Sequence, residues 1–404
     1  MKKYDEYKDS GVAWIGEVPK HWEVIPFKRA MTINNGSDYK HIQVDVSGYP
    51  VIGSGGEFAR ASQYVYDGEV VLLGRKGTID KPMYYNGKFW TVDTMFYAIP
   101  KKYINCKYLY YQALNIPFER YATATALPSM TQTDLNMNVI CLPPTIEQTA
   151  IAAYLDTHCA KIDNLISIQQ KRIALLQELK QSVITHAVTK GLNPNVEMKQ
   201  SGVEWIGDVP KHWKVLRGKY ALSILSGFPF DSQKFEFEDN GVYMPLIRIR
   251  DINGSSTEVY YSGSYPIESV VKTGEVLIGM DGDFNISKWK GTNALLNQRV
   301  CKLREDSSMN THYAFYMLSS PLKAINSVTY ATTVKHLSVY DIYNAFIPVP
   351  PISEQAAIAS YLDHKCATID TSISNAQHQI DLLQEYKQSL ITEVVTGKRK
   401  VTDN

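Results

Sequence analysis

The sequence contains no long apolar run and few cysteines. No segment has 18 consecutive apolar residues, and the N-terminus passes from Lys2 and Lys3 into the polar stretch YDEYKDS. Neither a membrane-spanning helix nor a secretion signal is predicted, so we expect a cytoplasmic protein. The five cysteines include no C-x-x-C pair, which favours buried core residues over metal ligands.

Motifs of common catalytic and cofactor sites are also missing. The sequence has neither G-x-x-x-x-G-K-[ST] for nucleotide phosphates nor H-E-x-x-H for zinc, and its nine histidines show no metal-ligand spacing. The pairs Pro143-Pro144 and Pro350-Pro351 do not lie in the Asn-Pro-Pro-Tyr type of loop with which amino-methyltransferases hold a target amine. We therefore predict no catalytic residue, no metal ligand and no cofactor bound to this chain.

Size and charge limit the class of protein further. The chain has 404 residues, of which 44% are hydrophobic and 21% are charged, and its formal net charge is +1. This composition is typical of a soluble chain with at least two packed domains. A net charge so close to zero argues against a protein that wraps nucleic acid by charge alone, although local charge can be uneven.

The strongest positive feature is a long helical pattern that occurs twice, at 142–191 and 349–397. Residues 147–163 read EQTAIAAYLDTHCAKID and residues 354–370 read EQAAIASYLDHKCATID, with 12 of 17 positions identical. Each copy follows a Pro-Pro pair, which suits a helix start. The pattern predicts helices at 145–190 and 352–396, with Thr145 and Gln148 as a capping box and Ser353 as the cap of the second helix.

Both helices show the three and four spacing of a heptad repeat. The first seam comprises Leu155, Cys159, Ile162, Ile166, Gln169, Ile173, Leu176, Lys180 and Val183. The second comprises Leu362, Cys366, Ile369, Ile373, Ala376, Ile380, Leu383, Lys387 and Leu390. Because Lys180 and Lys387 occupy the same seam position, we expect the seams to pair in one register. A helix of about 40 residues is about 60 Å long, which predicts an antiparallel helical rod.

A second repeated segment precedes each variable region. Residues 10–24 (SGVAWIGEVPKHWEV) and 201–215 (SGVEWIGDVPKHWKV) agree at 12 of 15 positions, and we call them the first and second straps. Their Trp, Ile, Val and Pro side chains favour short irregular segments that anchor aromatic rings on a neighbouring element. The alternative is that their Lys-His pairs contact phosphate.

Two segments of unlike sequence lie between strap and helix, at about 25–141 and 216–348. Short Val, Ile and Leu runs between Gly, Tyr, Asn and Ser turns predict mixed domains. Each contains an apolar strand with a Gly-x-x-Gly turn, EVVLLGRKG at 69–77 and EVLIGMDG at 275–282. The strand is shared and the loop residues differ, as expected for one scaffold with two recognition surfaces. Thr-rich stretches follow at 123–135 and 329–342, and they suit either phosphate and base contacts or a plain surface loop.

Together these motifs resemble the specificity subunit of type I restriction-modification enzymes. The resemblance rests on the SGVxWIGxVPKHW strap, a divergent segment, a Pro-Pro pair, EQxAIAxYLDxxCAxID and a long helix with LLQExKQSxIT, each present twice. It implies two target-recognition domains, each reading one half of a split double-stranded DNA site, and two helices packed antiparallel. It also implies that the chain itself is not catalytic.

The resemblance implies an assembly and a domain order as well. Two adenine methyltransferase subunits would carry S-adenosylmethionine, and two ATP-driven endonuclease subunits, with their Mg²⁺, would complete the enzyme. The implied fold is mixed α/β with an internal two-fold repeat and no membrane contact. It has a first target-recognition domain at 1–143, a first conserved helix at 144–191, a second target-recognition domain at 192–350, and a second conserved helix with the tail at 351–404.

Polarity and loop position select candidate DNA-binding residues, because Arg, Lys, Asn, Gln and hydroxyl groups bind base edges and phosphates. In the first domain these are Arg75, Lys76, Ser129, Thr131 and Gln132. In the second they are Lys234, Arg248, Arg250, Asn285, Lys335 and His336. The bases that they read cannot be predicted from the sequence.

Two other classes of protein compete with this interpretation. A free-standing nuclease or methyltransferase with an unrecognised site would be active as the purified chain, given metal or S-adenosylmethionine. A duplicated coiled-coil scaffold that binds only protein would show no DNA affinity even with its partners present. Such a scaffold does not explain why the segments between the helices diverge while the repeated motifs stay the same.

Overall fold

The chain forms two compact units. The computed structural model describes residues 3–121, 128–328 and 336–401. Unit 1 comprises Met1–Lys171 and Ala376–Asn404, and unit 2 comprises Arg172–Asn375. Each unit therefore contains one variable segment, the first part of one long helix and the last part of the other. Within the described ranges, no helix is both long enough and apolar enough to cross a membrane.

Unit 1 is built on one large mixed sheet. The strands of unit 1 are β1 (Tyr7–Asp9), β2 (Glu17–Pro19), β3 (Glu23–Pro26), β4 (Met31–Asn35), β5 (Gln43–Val44), β6 (Tyr49–Gly53), β7 (Gly56–Ala61), β8 (Tyr66–Gly74), β9 (Met83–Thr91), β10 (Met95–Pro100) and β11 (Val139–Leu142). Its helices are α1 (Phe27–Ala30), α2 (Cys106–Ala113), α3 (Gln132–Met137) and the first part of α4 (Thr145–Lys190). The sheet order is β4-β10-β8-β9-β6-β7-β5, antiparallel except for the parallel pair β6 and β9.

The central strand β8 shows why this sheet is buried on both faces. Val71 and Leu73 pack on the face that α1, α2 and α3 cover. Val70 and Leu72 pack with Phe89 on the opposite face. Successive strand residues point to opposite faces, so a continuous apolar run suits a strand that is covered on both sides. The strand predicted at the start of 69–77 is confirmed as part of β8.

Unit 2 divides its strands between two larger sheets. Its strands are β12 (Met198–Gln200), β13 (Asp208–Pro210), β14 (Lys214–Arg217), β15 (Ser223–Ser226), β16 (Phe235–Glu236), β17 (Met244–Ile247), β18 (Tyr260–Tyr261), β19 (Val270–Val271), β20 (Val276–Gly279), β21 (Ile286–Lys288), β22 (Ala294–Leu296), β23 (Val300–Arg304) and β24 (Phe346–Val349). Its helices are α5 (Thr311–Val328), α6 (Val339–Asn344) and the first part of α7 (Ile352–Val395). The larger sheets have the orders β15-β23-β20-β21 and β16-β18-β17-β22-β19.

The two long helices confirm the predicted bounds to within one residue, but the predicted caps are wrong. Helix α4 begins at Thr145 itself, whose Oγ1 donates to Tyr103 O (3.2 Å). Gln148 joins two neighbouring segments, because its Nε2 donates to Pro143 O (2.9 Å) and its Oε1 accepts from Asn105 N (2.9 Å). The predicted second cap, Ser353, lies inside α7.

The predicted seams are buried or half-buried along their whole length. In unit 1, Lys387 Nζ lies 2.7 Å from both carboxylate oxygens of Asp163. In unit 2, Lys180 Nζ makes the same 2.7 Å contacts with Asp370. Because a late residue of one helix meets an early residue of the other, the predicted antiparallel pairing is confirmed within each unit, and these contacts define its register.

The anchoring role predicted for the straps is confirmed. Trp22 and Trp213 have no exposed surface. In unit 1 the first strap packs between the start of α4 and the end of α7, and in unit 2 the second strap packs between the start of α7 and the end of α4. Gly191 and Gly397, both at φ +74°, end the helices against these rings, and an added Cβ would lie 3.1 to 3.2 Å from an indole carbon.

A carboxylate at the start of each long helix holds the strap. Trp22 Nε1 donates to Glu147 Oε2 (3.2 Å), and His21 Nε2 lies 2.9 Å from the same oxygen. Trp213 Nε1 donates to Glu354 Oε2 at 2.9 Å. The two strap histidines, which were alternative phosphate contacts, therefore contact glutamates of the long helices. We call the two straps and the two long helices the framework.

Candidate nucleic-acid interface

In unit 1, three predicted residues meet where β8 ends. Met130 N donates to Arg75 O (3.0 Å), and Gly77 N donates to Pro128 O (2.9 Å). Lys76 and Ser129 form an antiparallel bridge. We call residues 75–77, 94 and 128–130 the first polar loop. Only glycine fits at its base, because a Cβ on Gly74 would lie 2.2 Å from Thr78 O.

The Arg75 side chain is held by contacts within the protein, whereas its two neighbours in the loop are exposed. Its backbone N donates to Thr94 O (2.8 Å), and its Nη1 donates to Asp93 O (3.2 Å). The guanidinium carbon lies 5.9 Å from the centre of the Phe96 ring. Lys76 and Ser129 are exposed beside it. The loop thus presents one oriented cation, one exposed cation and a hydroxyl group.

The other two predicted residues of unit 1 use their side chains within the protein. Thr131 caps α3, since its Oγ1 accepts from Asp134 N (3.1 Å) and donates to Asp134 Oδ2 (2.6 Å). Gln132 Nε2 donates to Ile33 O at 2.5 Å. Both side chains therefore make contacts within the protein next to the loop. Thr131 is the N-cap residue of a capping box and does not present a free hydroxyl group.

Unit 2 has an equivalent loop with different chemistry. Asp281 and His336 form an antiparallel bridge, as Lys76 and Ser129 do in unit 1. Leu337 N donates to Met280 O (2.7 Å), and Met280 N donates to Arg299 O (3.0 Å). We call residues 280–282, 299 and 336–337 the second polar loop. The backbone contacts match those of Met130, Arg75 and Thr94 in the first polar loop.

Three side chains of the second polar loop form a charged cluster. His336 Nδ1 lies 2.7 Å from Asp281 Oδ1, and Arg299 Nε lies 3.7 Å from Asp281 Oδ2. Arg299 Nη1 lies 3.3 Å from His336 Nδ1. The Asp281 side chain is 24% exposed, whereas those of Arg299 and His336 are about half exposed. The cluster therefore presents a carboxylate flanked by two donors.

Sequence reasoning missed Arg299. It lies in the turn between β22 and β23, where the polar residues Asn297, Gln298 and Arg299 separate two apolar runs. A charged residue in a short turn between two apolar runs was the available signal. The turn is brought to the loop only by the pairing of β20 with β23, which no local pattern predicts.

The remaining predicted residues of unit 2 lie around this loop or apart from it. Asn285 is exposed, and its carbonyl accepts from Gly279 N (2.8 Å) at the base of the loop. Arg248 Nη2 and Arg250 Nη1 lie 2.8 and 3.4 Å from Glu258 Oε2. Lys234 is exposed in the 3-10 helix Ser232–Lys234, next to the other sheet. Lys335 lies outside the described residues, as do 123–127 and 329–334 of the Thr-rich stretches.

The five cysteines are free and buried, which confirms their prediction as core residues. Burial raises the pKa of the Cys106, Cys141 and Cys301 thiols to about 12. Among the residues that the structure describes, no group of three His, Cys, Asp or Glu side chains is placed to hold a metal ion.

The fold and the loops define a class of protein in which two unlike polar loops stand at equivalent places on a duplicated framework. A family model described as the type I restriction modification DNA specificity domain matches the chain twice, at 19–178 and 211–380. The chain belongs to this family. The resemblance drawn from the repeated motifs is thereby confirmed.

Similar curated proteins are specificity subunits. The chain is 34% identical over 203 residues to the type I restriction enzyme EcoBI specificity subunit of Escherichia coli, a match that covers 50% of this chain and 42% of that protein. It is 26% identical over 423 residues to the putative type I restriction enzyme MjaX specificity subunit of Methanocaldococcus jannaschii, with 96% of each chain covered. The match to the EcoBI subunit thus spans less than half of that protein's length.

A solved structure has the same fold. It comes from work on complex assembly and conformational transition of the type I R-M system, and it matches with a TM-score of 0.70 over 94% of this chain and 98% of that chain. The sequences are 16% identical, so this likeness concerns the fold alone. It confirms the predicted mixed α/β architecture with two long helices.

Proposed function

We propose that this chain is the sequence-specific DNA recognition subunit of a type I restriction-modification complex. The variable part of unit 1 reads one half of a bipartite double-stranded target, and the variable part of unit 2 reads the other half. The observation that carries the proposal is the pair of polar loops. Matched backbone contacts hold Lys76 and Ser129 in one unit and Asp281 and His336 in the other.

The chemistry of the loops supports different half-sites. In the major groove guanine presents two acceptors, whereas adenine presents an acceptor and an amino donor. Arg75 and Lys76 are donors only, so the first polar loop suits an acceptor-rich edge such as guanine. The second polar loop combines the acceptor Asp281 with the donor Arg299, so it suits an edge that presents both an amino group and an acceptor.

Exposed apolar side chains on the long helices support an assembly with partner subunits. Leu175 and Leu179 on α4 are 65% and 49% exposed, and their equivalents on α7, Leu382 and Tyr386, are 49% and 51% exposed. Repeated apolar residues on a helix surface suit a partner that covers them. We assign this role to two methyltransferase subunits, and two endonuclease subunits complete the proposed complex.

Catalysis belongs to those partners in this proposal. The chain directs adenine methylation and restriction but performs neither, and it acts in the cytoplasm. S-adenosylmethionine would be bound by the methyltransferase subunits, and ATP and Mg²⁺ by the endonuclease subunits.

Mapping methylated adenines in cells that express this chain with its methyltransferase partner tests the proposal. We expect one bipartite motif. The double substitution Arg75→Ala with Lys76→Ala should change or relax only one half of it, and Asp281→Ala with His336→Ala should affect only the other half. Lys8→Ala, an exposed cation on β1 outside both loops, should leave the motif unchanged. A single-loop variant that alters both halves would contradict independent recognition.

A further inference from the structure

Unit 1 carries a concentrated positive charge away from its polar loop. Lys28 and Arg29 lie in α1, Lys101 and Lys102 follow β10, and all four are exposed. Lys101 N donates to Ala30 O (2.8 Å), and Lys101 Nζ donates to Lys28 O (2.6 Å). The two segments therefore lie side by side. Within the described part of the chain, none of the four forms an ion pair. We call these four cations the basic patch.

The backbone next to the patch is held in an unusual conformation. Tyr103 has a φ of 70°, in the left-handed region that non-glycine residues rarely adopt. Its carbonyl accepts from Thr145 Oγ1 (3.2 Å) and from Gln148 Nε2 (3.4 Å). Tyr103 is 69% exposed, and Lys102 Nζ lies 5.0 Å from the centre of its ring. The patch is thus a defined surface rather than a loose tail.

Unit 2 has the same loop without the cations. Gln355 Oε1 accepts from Asn310 N (2.8 Å), and Gln355 Nε2 donates to Ser308 O (3.0 Å), as Gln148 does with Asn105 and Tyr103 in unit 1. Counting back from Asn310, Asp306 and Ser307 take the places of the two lysines. Hydrogen bonds from Ser308 hold the pKa of the Asp306 carboxyl below its ordinary value, so this loop is negatively charged.

The second half of the patch also differs between the units. In unit 2 the 3-10 helix Gly218–Tyr220 replaces α1, and Lys219 and Tyr220 stand where unit 1 has Lys28 and Arg29. The four positions thus carry four positive charges in unit 1. In unit 2 the charges of Lys219 and Asp306 cancel, and their exposed neighbours Arg217, Arg304 and Glu305 add a net charge of only +1. The positive charge at this surface is therefore much larger in unit 1 than in unit 2.

The patch and the first polar loop lie at opposite ends of β10. The loop is fixed at Thr94, just before the strand, and the patch begins at Lys101, just after it. Seven residues at roughly 3.3 Å each separate them by about 23 Å. At roughly 3.4 Å per base pair this is the length of about seven base pairs, so the two surfaces reach different parts of one duplex.

We propose that the basic patch binds phosphates of the DNA backbone beside the half-site of unit 1, and that unit 2 makes no matching contact. This inference rests on the proposed function. Four unpaired cations on one surface are what the polyanionic backbone requires. A partner protein that bound both units in the same way would meet opposite charges at the two loops, which argues against that type of occupant.

The salt dependence of DNA binding tests this proposal in the complex with the methyltransferase partner. The variant Lys28→Gln, Arg29→Gln, Lys101→Gln, Lys102→Gln should reduce the slope of log affinity against log salt by about 3 to 4, since each phosphate contact contributes about 0.9. At 0.15 M salt the affinity should fall roughly fivefold for each phosphate that no longer binds a cation of the patch. The methylated motif should stay the same, because base contacts are retained.

A variant with two substitutions provides a second test in case the fourfold variant does not fold. Arg29→Gln with Lys102→Gln removes two side chains that make no hydrogen bond within the described structure, and it should reduce the slope by about 2. A control with the same charge change as the fourfold variant is Lys214→Gln, Lys219→Gln, Lys272→Gln, Lys290→Gln, which neutralises exposed but scattered cations of unit 2. It should change the slope by less than about 1.

Each outcome decides the proposal. An unchanged slope in a folded patch variant would overturn it. Weaker assembly with the methyltransferase, with an unchanged slope for the assembled complex, would also overturn it and assign the patch to an acidic protein partner. Loss of the sequence motif in the wild-type complex would count against the proposed function instead, because the slope does not depend on base recognition.

Discussion

The two units hold nearly identical framework contacts against different sheets. Apart from two strand pairs in each unit, unit 1 joins its strands in one seven-stranded sheet, whereas unit 2 divides them between a four-stranded and a five-stranded sheet. The parallel pair of β6 and β9 in unit 1 nevertheless recurs in unit 2 as β17 and β22. Contacts to the straps and long helices have thus been retained, while sheet edges and turns have diverged.

One attachment of the variable part to the framework shows how this happens. Tyr111 OH donates to Asp156 Oδ1 (2.8 Å) in unit 1, and Tyr316 OH donates to Asp363 Oδ1 (2.7 Å) in unit 2. The cation beside the carboxylate comes from α2 in unit 1 and from Lys288 on β21 in unit 2. Although burial raises the pKa of Asp363, hydrogen bonds from Lys288 and Tyr316 outweigh it and lower the pKa. Both long helices thus carry an equivalent ion pair, and different elements supply its cation.

The largest test of this comparison removes the strap anchors. Trp22→Ala and Trp213→Ala should each lower the free energy of unfolding by about 3 to 5 kcal/mol, because each empties a fully buried indole site. Urea unfolding of the two variants measures this. Equal decreases would confirm that the straps do the same work in both units. A decrease below about 1 kcal/mol in one unit would mean that its strap is not anchored by the indole.

The framework was predictable because duplication doubles the evidence for each pattern. The seam positions followed from aligning the two copies, which place Lys180 and Lys387 at the same seam position. Their partners Asp370 and Asp163, which define the register, were not predicted. The strap anchors were not predicted in detail. An acidic residue in the first helical turn, such as Glu147, is ordinarily explained by the helix dipole. The hydrogen bond that Glu147 accepts from Trp22 was therefore not predicted.

The polar loops were predictable only in part, because side-chain partners in loops depend on distant turns. Arg248 and Arg250 were predicted to bind DNA, but both face Glu258 across a turn. Thr131 was predicted as a contact and acts as a helix cap. Of the other predicted residues, Lys76 directly precedes Gly77 of the first polar loop, and His336 pairs with Asp281, which directly precedes Gly282.

A second test compares the two carboxylates that hold the straps, those of Glu147 and Glu354. Glu147 accepts from Tyr4 and Trp22, and its side chain is 11% exposed, whereas the Glu354 side chain is 41% exposed. Glu147→Ala leaves buried donors without an acceptor, so we expect a decrease of about 2 to 3 kcal/mol in the free energy of unfolding. Glu354→Ala should cost less, about 1 kcal/mol, because the Glu354 side chain is more exposed and its loss leaves one buried donor, Trp213 Nε1, without an acceptor. Thermal and urea unfolding compare the two, and the reverse order would contradict the difference in burial.

A third test concerns the polar loops and has a smaller effect, on base discrimination. Arg75→Ala should reduce the preference for the correct base in one half-site by about 1 to 3 kcal/mol, the value of one bidentate contact. Arg299→Ala should do the same in the other half-site. Competition binding of the methyltransferase complex to duplexes with single base changes measures each preference. Arg250→Ala, whose side chain faces Glu258, is the matched control and should leave both preferences intact.

The smallest expected effect comes from the ion pairs of the long helices. The Lys387 and Asp163 side chains are 28% and 55% exposed, and those of Lys180 and Asp370 are 32% and 53% exposed. Partly exposed pairs contribute about 0.2 to 1 kcal/mol, so the lysine-to-Ala, aspartate-to-Ala and double variants of each pair should give a coupling energy of this size. Because the two pairs occupy equivalent positions in the antiparallel register, their coupling energies should agree, and salt at about 1 M should reduce both. Lys171→Ala, an exposed cation of α4, paired with either aspartate variant, should show no coupling. A coupling energy in one pair and none in the other would mean that the register seen in both units holds in only one of them.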